Sequence, residues 1–200
     1  MGCSLKLLIA TIGLTMLAGN GHAVTPQAEA TADPVIMAEA VETQGNSSSI
    51  SISIVDGAPK FFGWRRVSCN PDGQCGESTG MSRDGISGDI DLSGFPPGDV
   101  AVSISIGDDA YAAGWRFPGD PYQGVAIVVY TEGGVRPDPV FGNWPPNGEF
   151  GTPSLSADLK TVSFIDSDND GLSYEYAVAV NGPGGRVVLD PKIINKNLDR

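Results

Sequence analysis

Short runs in which apolar and small polar residues alternate dominate the chain after residue 48. In "SSISISIV" (48–55) isoleucine occupies every second position, and serine fills the positions between. "DVAVSISIG" (99–107) repeats this pattern, and "LSYEYAVAV" (172–180) places aromatic and aliphatic residues on one side of the chain. A period of two indicates β-strands with one buried face and one exposed face. The run "VAIVVY" (125–130) is apolar throughout, which predicts a central strand covered on both faces.

About nine strands are predicted by this pattern, each bounded by Gly, Pro, Asp or Asn. The chain contains 27 Gly and 15 Pro, which exclude long helices from most of the region. Two antiparallel sheets packed face to face bury many one-sided strands at once. The sequence therefore predicts an all-β fold, an antiparallel β-sandwich of jelly-roll or Ig-like type, with a barrel as the alternative.

The first 23 residues have the anatomy of an export signal. Lys6 gives a positive start, an apolar run follows over residues 7–18, and "GHA" places small residues before a predicted cut after Ala23. We therefore expect a periplasmic or secreted protein. Residues 24–47 are predicted to be a flexible segment or an edge strand, and residues 48–200 the folded domain. No later segment reaches the roughly 20 apolar residues of a membrane-spanning helix.

Acidic residues dominate the charge of the chain once the signal is removed. Lys6 is the one basic residue before the cut, so 24 Asp and Glu face 11 Lys and Arg, a net charge of −13. Such a surface repels phosphate backbones. Nucleic acid is therefore excluded as a partner, and a glycan or a protein ligand remains.

Cysteine and histidine content limits the chemistry open to the mature chain. Cys69 and Cys75 enclose the turn sequence "NPDGQ", which predicts a structural disulfide, because a redox motif would have a Cys-x-x-Cys spacing. The single histidine, His22, lies before the predicted cut. Its removal excludes Ser-His-Asp catalysis, Cys-His catalysis and zinc sites built on histidine.

An acidic stretch, "FIDSDNDGLSYEY" (164–176), carries three alternating aspartates followed by glycine. These match the first positions of an EF-hand loop, but position 12 is Ala177 and the flanks read as strands, so an EF-hand is excluded. Two interpretations remain: a smaller Ca²⁺ site on a β-scaffold, or a β-hairpin turn that happens to be acidic. The candidate metal ligands are Asp166, Asp168, Asp170 and Glu175.

The loop "DPVFGNWPPNGEFG" (138–151) carries three aromatic residues between strands, Phe141, Trp144 and Phe150. Exposed rings on such loops stack on sugars or anchor a partner protein. The alternative is that the loop folds back and closes the end of the core with those rings.

A non-catalytic, exported binding or surface-interaction module is the function that these features favour. Its contact region would be the loop aromatics, with the acidic loop rigidified by calcium. One alternative is a carboxylate-dependent glycan hydrolase, for which Glu149, Glu132, Asp108 and Asp109 are candidate acids. The other is a structural envelope or assembly subunit, which would expose a long apolar edge strand.

Overall fold

The computed structural model describes residues 45–130, 138–146 and 148–195. The predicted signal and most of the 24–47 segment lie outside these residues. The described ranges form eleven strands and two short helices. The strands are β1 Ser47–Val55, β2 Ala58–Cys69, β3 Cys75–Met81, β4 Ile90–Asp91, β5 Val100–Ile106, β6 Val125–Tyr130, β7 Ser154–Leu155, β8 Thr161–Asp166, β9 Ser173–Gly182, β10 Gly185–Leu189 and β11 Lys192–Ile194; the helices are α1 Asp108–Ala112 and α2 Pro121–Gly124.

The strands build two sheets. One is six-stranded, in the order β3-β2-β1-β5-β8-β7, and the second has the order β10-β9-β11-β4 with β6 also paired to β9. The predicted β-rich fold is confirmed, but the prediction of purely antiparallel sheets is wrong. β1 pairs in parallel with β5, and β11 in parallel with β4, so both sheets are mixed. Neither described sheet closes on itself, and the barrel alternative is therefore wrong.

One hydrophobic core contains the inward side chains of both sheets. Ile50 and Ile104 of the six-stranded sheet and Val178 of the second sheet are buried in the same cluster. The rings of Phe61 on β2 and Tyr176 on β9 lie 6.5 Å apart across it. Fully burying one such side chain contributes about 1.5–3 kcal/mol, so this shared face is the main source of stability.

Strand β9 differs from its prediction because both of its faces are buried. The predicted inward residues Tyr174 to Val180 are buried, but Leu172 is 43 % exposed. The residues between them, which the alternation predicted to face solvent, are also covered; Glu175, Ala177 and Ala179 are buried. β9 is paired along both edges, so it is the central strand of the second sheet.

Candidate functional site

The acidic loop 167–172 joins the two sheets rather than two neighbouring strands. β8 before it pairs with β5 and β7, whereas β9 after it pairs with β6, β10 and β11. The hairpin-turn interpretation is therefore wrong. Two residues of the loop take left-handed backbone conformations, Asp168 with φ of 44° and Gly171 with φ of 64°. Glycine adopts this region without cost, whereas an aspartate there is uncommon.

Carboxylates from two loops meet at the end of β8. Asp166 ends β8 on its inward face, and Asp168 follows in the loop; both are fully buried. Glu149 is 3 % exposed and reaches them because Phe150 pairs with Asp166 in an antiparallel bridge. Asp170 lies close enough to Glu149 for the two charges to repel each other. We refer to Glu149, Asp166, Asp168 and Asp170 as the acidic cluster.

Backbone amides and one asparagine donate to the buried members of the cluster. The Asp168 amide donates to Asp166 Oδ1 at 2.9 Å, and the Asn169 amide donates to Glu149 Oε1 at 3.2 Å. Asn195, which follows β11 and is fully buried, places Nδ2 3.1 Å from Asp166 Oδ1 and 3.3 Å from Asp166 Oδ2. Strand β11 thus brings a neutral amide into the cluster from the far end of the chain.

Glu175, predicted as a fourth metal ligand, lies on the other side of β9. The Tyr174 hydroxyl donates to Asp170 Oδ2, so the Tyr174 side chain points towards the cluster. Successive side chains of a strand point to opposite faces, which directs Glu175 away from it. Glu175 is fully buried on that face, in register with Lys192 of β11 and Val128 of β6. The geometry therefore places Glu149, not Glu175, beside the three aspartates.

Burial raises the pKa of two carboxyls in the acidic cluster. Asp166 has its pKa raised to about 7, first because it is buried, and then because Glu149 and Asp168 add negative charge nearby. The bonds from the Asp168 amide and from Asn195 oppose that rise. The pKa of Glu149 is raised above its ordinary value by burial and by repulsion from Asp170. Ionised carboxylates held this way are costly unless a proton or a cation compensates their charge.

The cluster is not a finished metal shell. As the side chains stand, no three His, Cys, Asp or Glu residues of the described ranges are grouped so that they could hold a metal ion. The carboxylate oxygens instead accept hydrogen bonds, and Asp170 accepts from both the Leu172 amide and the Tyr174 hydroxyl. Calcium binding at Asp166, Asp168 and Asp170 stays a prediction.

Trp144 packs among other aromatic rings. Its ring meets Tyr122, Phe150 and Phe164 edge to face, with centroid distances of 5.9, 6.2 and 5.7 Å. Its Nε1 donates to the Phe150 carbonyl oxygen at 3.3 Å. Phe150 is itself 4 % exposed and lies 4.7 Å from the Tyr174 ring. These contacts are those expected of a loop that closes one end of the core.

The third loop aromatic, Phe141, is half-buried under a cation. The Arg186 guanidinium of β10 lies 4.6 Å from the centre of its ring. The loop therefore does not bring its three rings together into one exposed platform. A ligand-binding role for Phe141, Trp144 and Phe150 stays a prediction.

The outer face of the six-stranded sheet carries a row of serine hydroxyls, which the sequence pattern did not predict as a candidate site. Ser163, Ser103 and Ser49 are direct neighbours on β8, β5 and β1, and Ser154 extends the row on β7. Arg65 of β2 lies opposite Ser49 and continues it. Four strand spacings of about 4.8 Å give the row a length of about 19 Å. The serines were visible in the alternation, but their alignment required the parallel register of β1 and β5.

These hydroxyls line a groove of about 910 Å³. Its wall includes the charged pair Arg65 and Glu77, whose Nη2 and Oε2 atoms are 2.9 Å apart. The guanidinium of Arg65 lowers the pKa of Glu77 through this hydrogen bond. We refer to the row Ser154, Ser163, Ser103, Ser49 and Arg65 and the space above it as the serine groove.

The candidate hydrolase acids are held in separate places. Asp108 forms an ion pair with Lys160 at 2.6 Å, and Asp109 accepts hydrogen bonds from Ser53 and from the backbone of β1. Glu132 lies outside the described residues. Glu149 has a close carboxyl neighbour in Asp166, but both are enclosed.

The chain matches no protein-family model and no curated protein. The predicted disulfide between Cys69 and Cys75 is confirmed, at the end of the β2–β3 pair. Among the described residues, no helix is both long enough and apolar enough to cross a membrane. A disulfide is compatible with the predicted export, because such bonds persist in oxidising compartments.

Proposed function

We propose that this chain is an exported, non-catalytic β-sandwich module that binds a neutral glycan chain along the serine groove. The observation that carries the proposal is the alignment of hydroxyls across adjacent strands, along a groove on the outer face of the six-stranded sheet. Serine hydroxyls both donate and accept hydrogen bonds, as sugar hydroxyls do, so a row of them offers matched partners to an extended polyhydroxylated ligand.

The charge of the chain favours a neutral ligand over an anionic one. The mature chain carries an excess of acidic residues, and the one cation of the row, Arg65, is already paired with Glu77. An anionic polymer would meet repulsion over most of the surface. Of the described groove residues, the aromatic one is Phe164, which is buried. Recognition would thus rest on hydrogen bonds rather than on ring stacking.

Catalysis on a glycan is the less favoured function. A glycosidase needs two carboxyls about 5–10 Å apart, both facing a cleft that admits the sugar. Glu149 and its neighbour Asp166 are enclosed, and the candidates Asp108 and Asp109 are held by Lys160 and by Ser53. The described wall of the serine groove contains a single carboxylate, Glu77, and its ion pair with Arg65 leaves it poorly suited to act as an acid.

A groove-blocking substitution tests the proposal. The mature chain would be titrated calorimetrically with cello-, xylo-, manno- and chito-oligosaccharides, and then compared with Ser103→Trp, which fills the middle of the groove. Ser78→Trp is the matched control, because Ser78 is an exposed serine of β3 on the opposite face of the same sheet. We expect binding of at least one oligosaccharide by the parent chain and by Ser78→Trp, and at least tenfold weaker binding by Ser103→Trp.

Two results would overturn the proposal. One is that none of the oligosaccharides binds the parent chain. The other is that Ser103→Trp binds as tightly as Ser78→Trp at equal melting temperature, which would move the ligand to another surface. Release of reducing sugar during incubation would favour the hydrolase instead.

A further inference from the structure

We propose that the glycan lies across the strands as a straight, β-1,4-linked chain, with one sugar ring over each of the five strands that carry the serine row. The inference rests on the proposed function and adds to it the linkage, the direction and the length of the ligand. Its basis is the course of the serine groove, the spacing of the hydroxyls and a second, apolar row beside them.

The serine groove runs across the strands rather than along them. Its described lining includes residues of all six strands of the sheet, from Glu77 on β3 to Ser154 on β7. Each strand contributes only a few residues at one level; on β1 these are Ser47 and Ser49, whereas Ser53 of the same strand lies outside the groove. An extended ligand in the groove therefore meets one strand after another.

The repeat of the row matches the repeat of a β-1,4-linked chain. Neighbouring strands lie about 4.8 Å apart, so the members of the row recur at that interval. In a β-1,4-linked pyranose chain the two bonds leave opposite ends of each ring, so the chain is straight and advances by about one ring length, close to one strand spacing, per sugar. The α-1,4 and β-1,3 linkages of glucose curve the chain into a helix, which lifts successive rings away from a straight row.

The row offers hydrogen-bond acceptors, which suit the hydroxyls of a sugar. Ser49 and Ser154 already use their own hydrogen atoms, because their Oγ atoms donate to backbone carbonyl oxygens at 3.4 and 3.3 Å. A serine hydroxyl has one hydrogen and two acceptor lone pairs, so acceptor capacity is what these two positions retain. Their ligand must then donate, as a sugar hydroxyl does and an ionised carboxylate does not.

A second row, two residues away along each strand, is largely apolar. Ser47 pairs with Val67 on β2 and with Ala101 on β5, and Ala101 pairs with Ile165 on β8. All four line the groove, and Ile165 is 40 % exposed. A pyranose ring carries hydroxyls at its edge and C–H groups on its faces. A ring lying flat on the sheet would therefore set its edge over the serines and a face over the apolar row.

Calorimetric titration of the mature chain with hexasaccharides tests the linkage. Cellohexaose, mannohexaose and chitohexaose are β-1,4-linked, whereas maltohexaose and laminarihexaose are glucose chains with α-1,4 and β-1,3 linkages. We expect the tightest β-1,4-linked hexamer to bind at least tenfold more tightly than either of the other two. Equal or tighter binding of maltohexaose or laminarihexaose would overturn this inference and leave the proposed glycan binding intact. Failure of every hexamer to bind would overturn the proposed function, and this inference with it.

A series of chain lengths tests the direction of the ligand. With one ring over each of five strands, the affinity should rise from the disaccharide to the pentasaccharide and stay level at the hexasaccharide. Ser154→Ile replaces the exposed hydroxyl at the β7 end by a β-branched side chain, which strands accept, so the affinity should level off at the tetrasaccharide. The matched control Ser78→Ile, an exposed serine on the opposite face, should keep the limit at five rings. A ligand that lies along the strands would not reach β7, so an unchanged limit in Ser154→Ile would contradict the proposal.

Ile165→Thr tests the apolar row. Threonine keeps the branched shape at Cβ but puts a hydroxyl where the isoleucine has its ethyl group, so we expect at least threefold weaker binding of the tightest hexamer. Val188→Thr is the control, because Val188 is 50 % exposed on β10 of the second sheet. Equal affinities of the two variants, at melting temperatures equal to that of the parent chain, would contradict the placement of a ring face on this row.

Discussion

Truncation of Trp144 separates a structural role of the aromatic loop from a role as a ligand platform. In Trp144→Ala the protein loses three edge-to-face ring contacts and the hydrogen bond from Nε1 to the Phe150 carbonyl. Each ring pair contributes about 0.5–1.5 kcal/mol and the hydrogen bond about 1 kcal/mol. Truncating a large aromatic side chain in a core lowers the unfolding free energy by about 3–5 kcal/mol. Because the Trp144 side chain is half-buried, we expect a loss at the lower end of this range, about 3 kcal/mol.

Urea unfolding followed by far-ultraviolet circular dichroism measures this change. Trp144→Phe is the matched control; it keeps a six-membered ring in the cluster and loses the indole hydrogen bond and the five-membered ring, so we expect a smaller cost, about 1–2 kcal/mol. A cost below about 0.5 kcal/mol for Trp144→Ala is typical of an exposed surface position. Such a result would refute the structural role and favour the predicted ligand-binding role of Trp144.

Two further predictions concern the close contact between Gly88 and Phe61 and the hydrogen bonds that Asp109 accepts. Gly88 has φ of 80°, and a Cβ there would lie 2.2 Å from the Phe61 ring, so Gly88→Ala should lower the unfolding free energy by about 3 kcal/mol. Gly57 has the same φ but lies in open space, so the control Gly57→Ala should lower it by about 1 kcal/mol. Equal losses for the two variants in urea unfolding would contradict the predicted clash. Burial would raise the pKa of Asp109, but hydrogen bonds from the Ser53 hydroxyl and the Ile54 amide outweigh it and hold that pKa below its ordinary value. A carboxyl whose pKa is lower in the folded than in the unfolded chain stabilises the fold at a pH above its unfolded pKa. Asp109→Asn should therefore lower the unfolding free energy by less than about 1 kcal/mol at pH 7, and this loss should fade as the pH drops below about 4. A loss that does not depend on pH would contradict the predicted role of these hydrogen bonds.

The sequence pattern was reliable where one face of a strand is buried and the other is exposed. Ile50, Ile52 and Ile104 are buried as the alternation predicts, and the serines between them face outward. β9 shows the limit of this reasoning. Its second face carries small or charged residues, Ala177, Ala179 and Glu175, which read as a solvent face although the fold covers them.

The candidate sites depended on pairings between distant segments. The spacing of the aspartates was visible locally, but Glu149 joins them only through the Phe150–Asp166 bridge, and Asn195 only through β11. The parallel pairing that aligns Ser49 with Ser103 is likewise a product of topology. Strands of two or three residues, such as β4 and β7, are too short to carry a periodic signal.

The central claim, that the outer face of the six-stranded sheet holds a glycan, is tested most directly by chemical-shift mapping. Backbone amide spectra of the isotope-labelled mature chain would be recorded as the tightest-binding oligosaccharide is added. We predict that the shifted amides lie around Ser49, Ser103 and Ser163 on adjacent strands. Shifts confined to the 138–146 loop, or the absence of any shift with the oligosaccharides tested, would contradict the account.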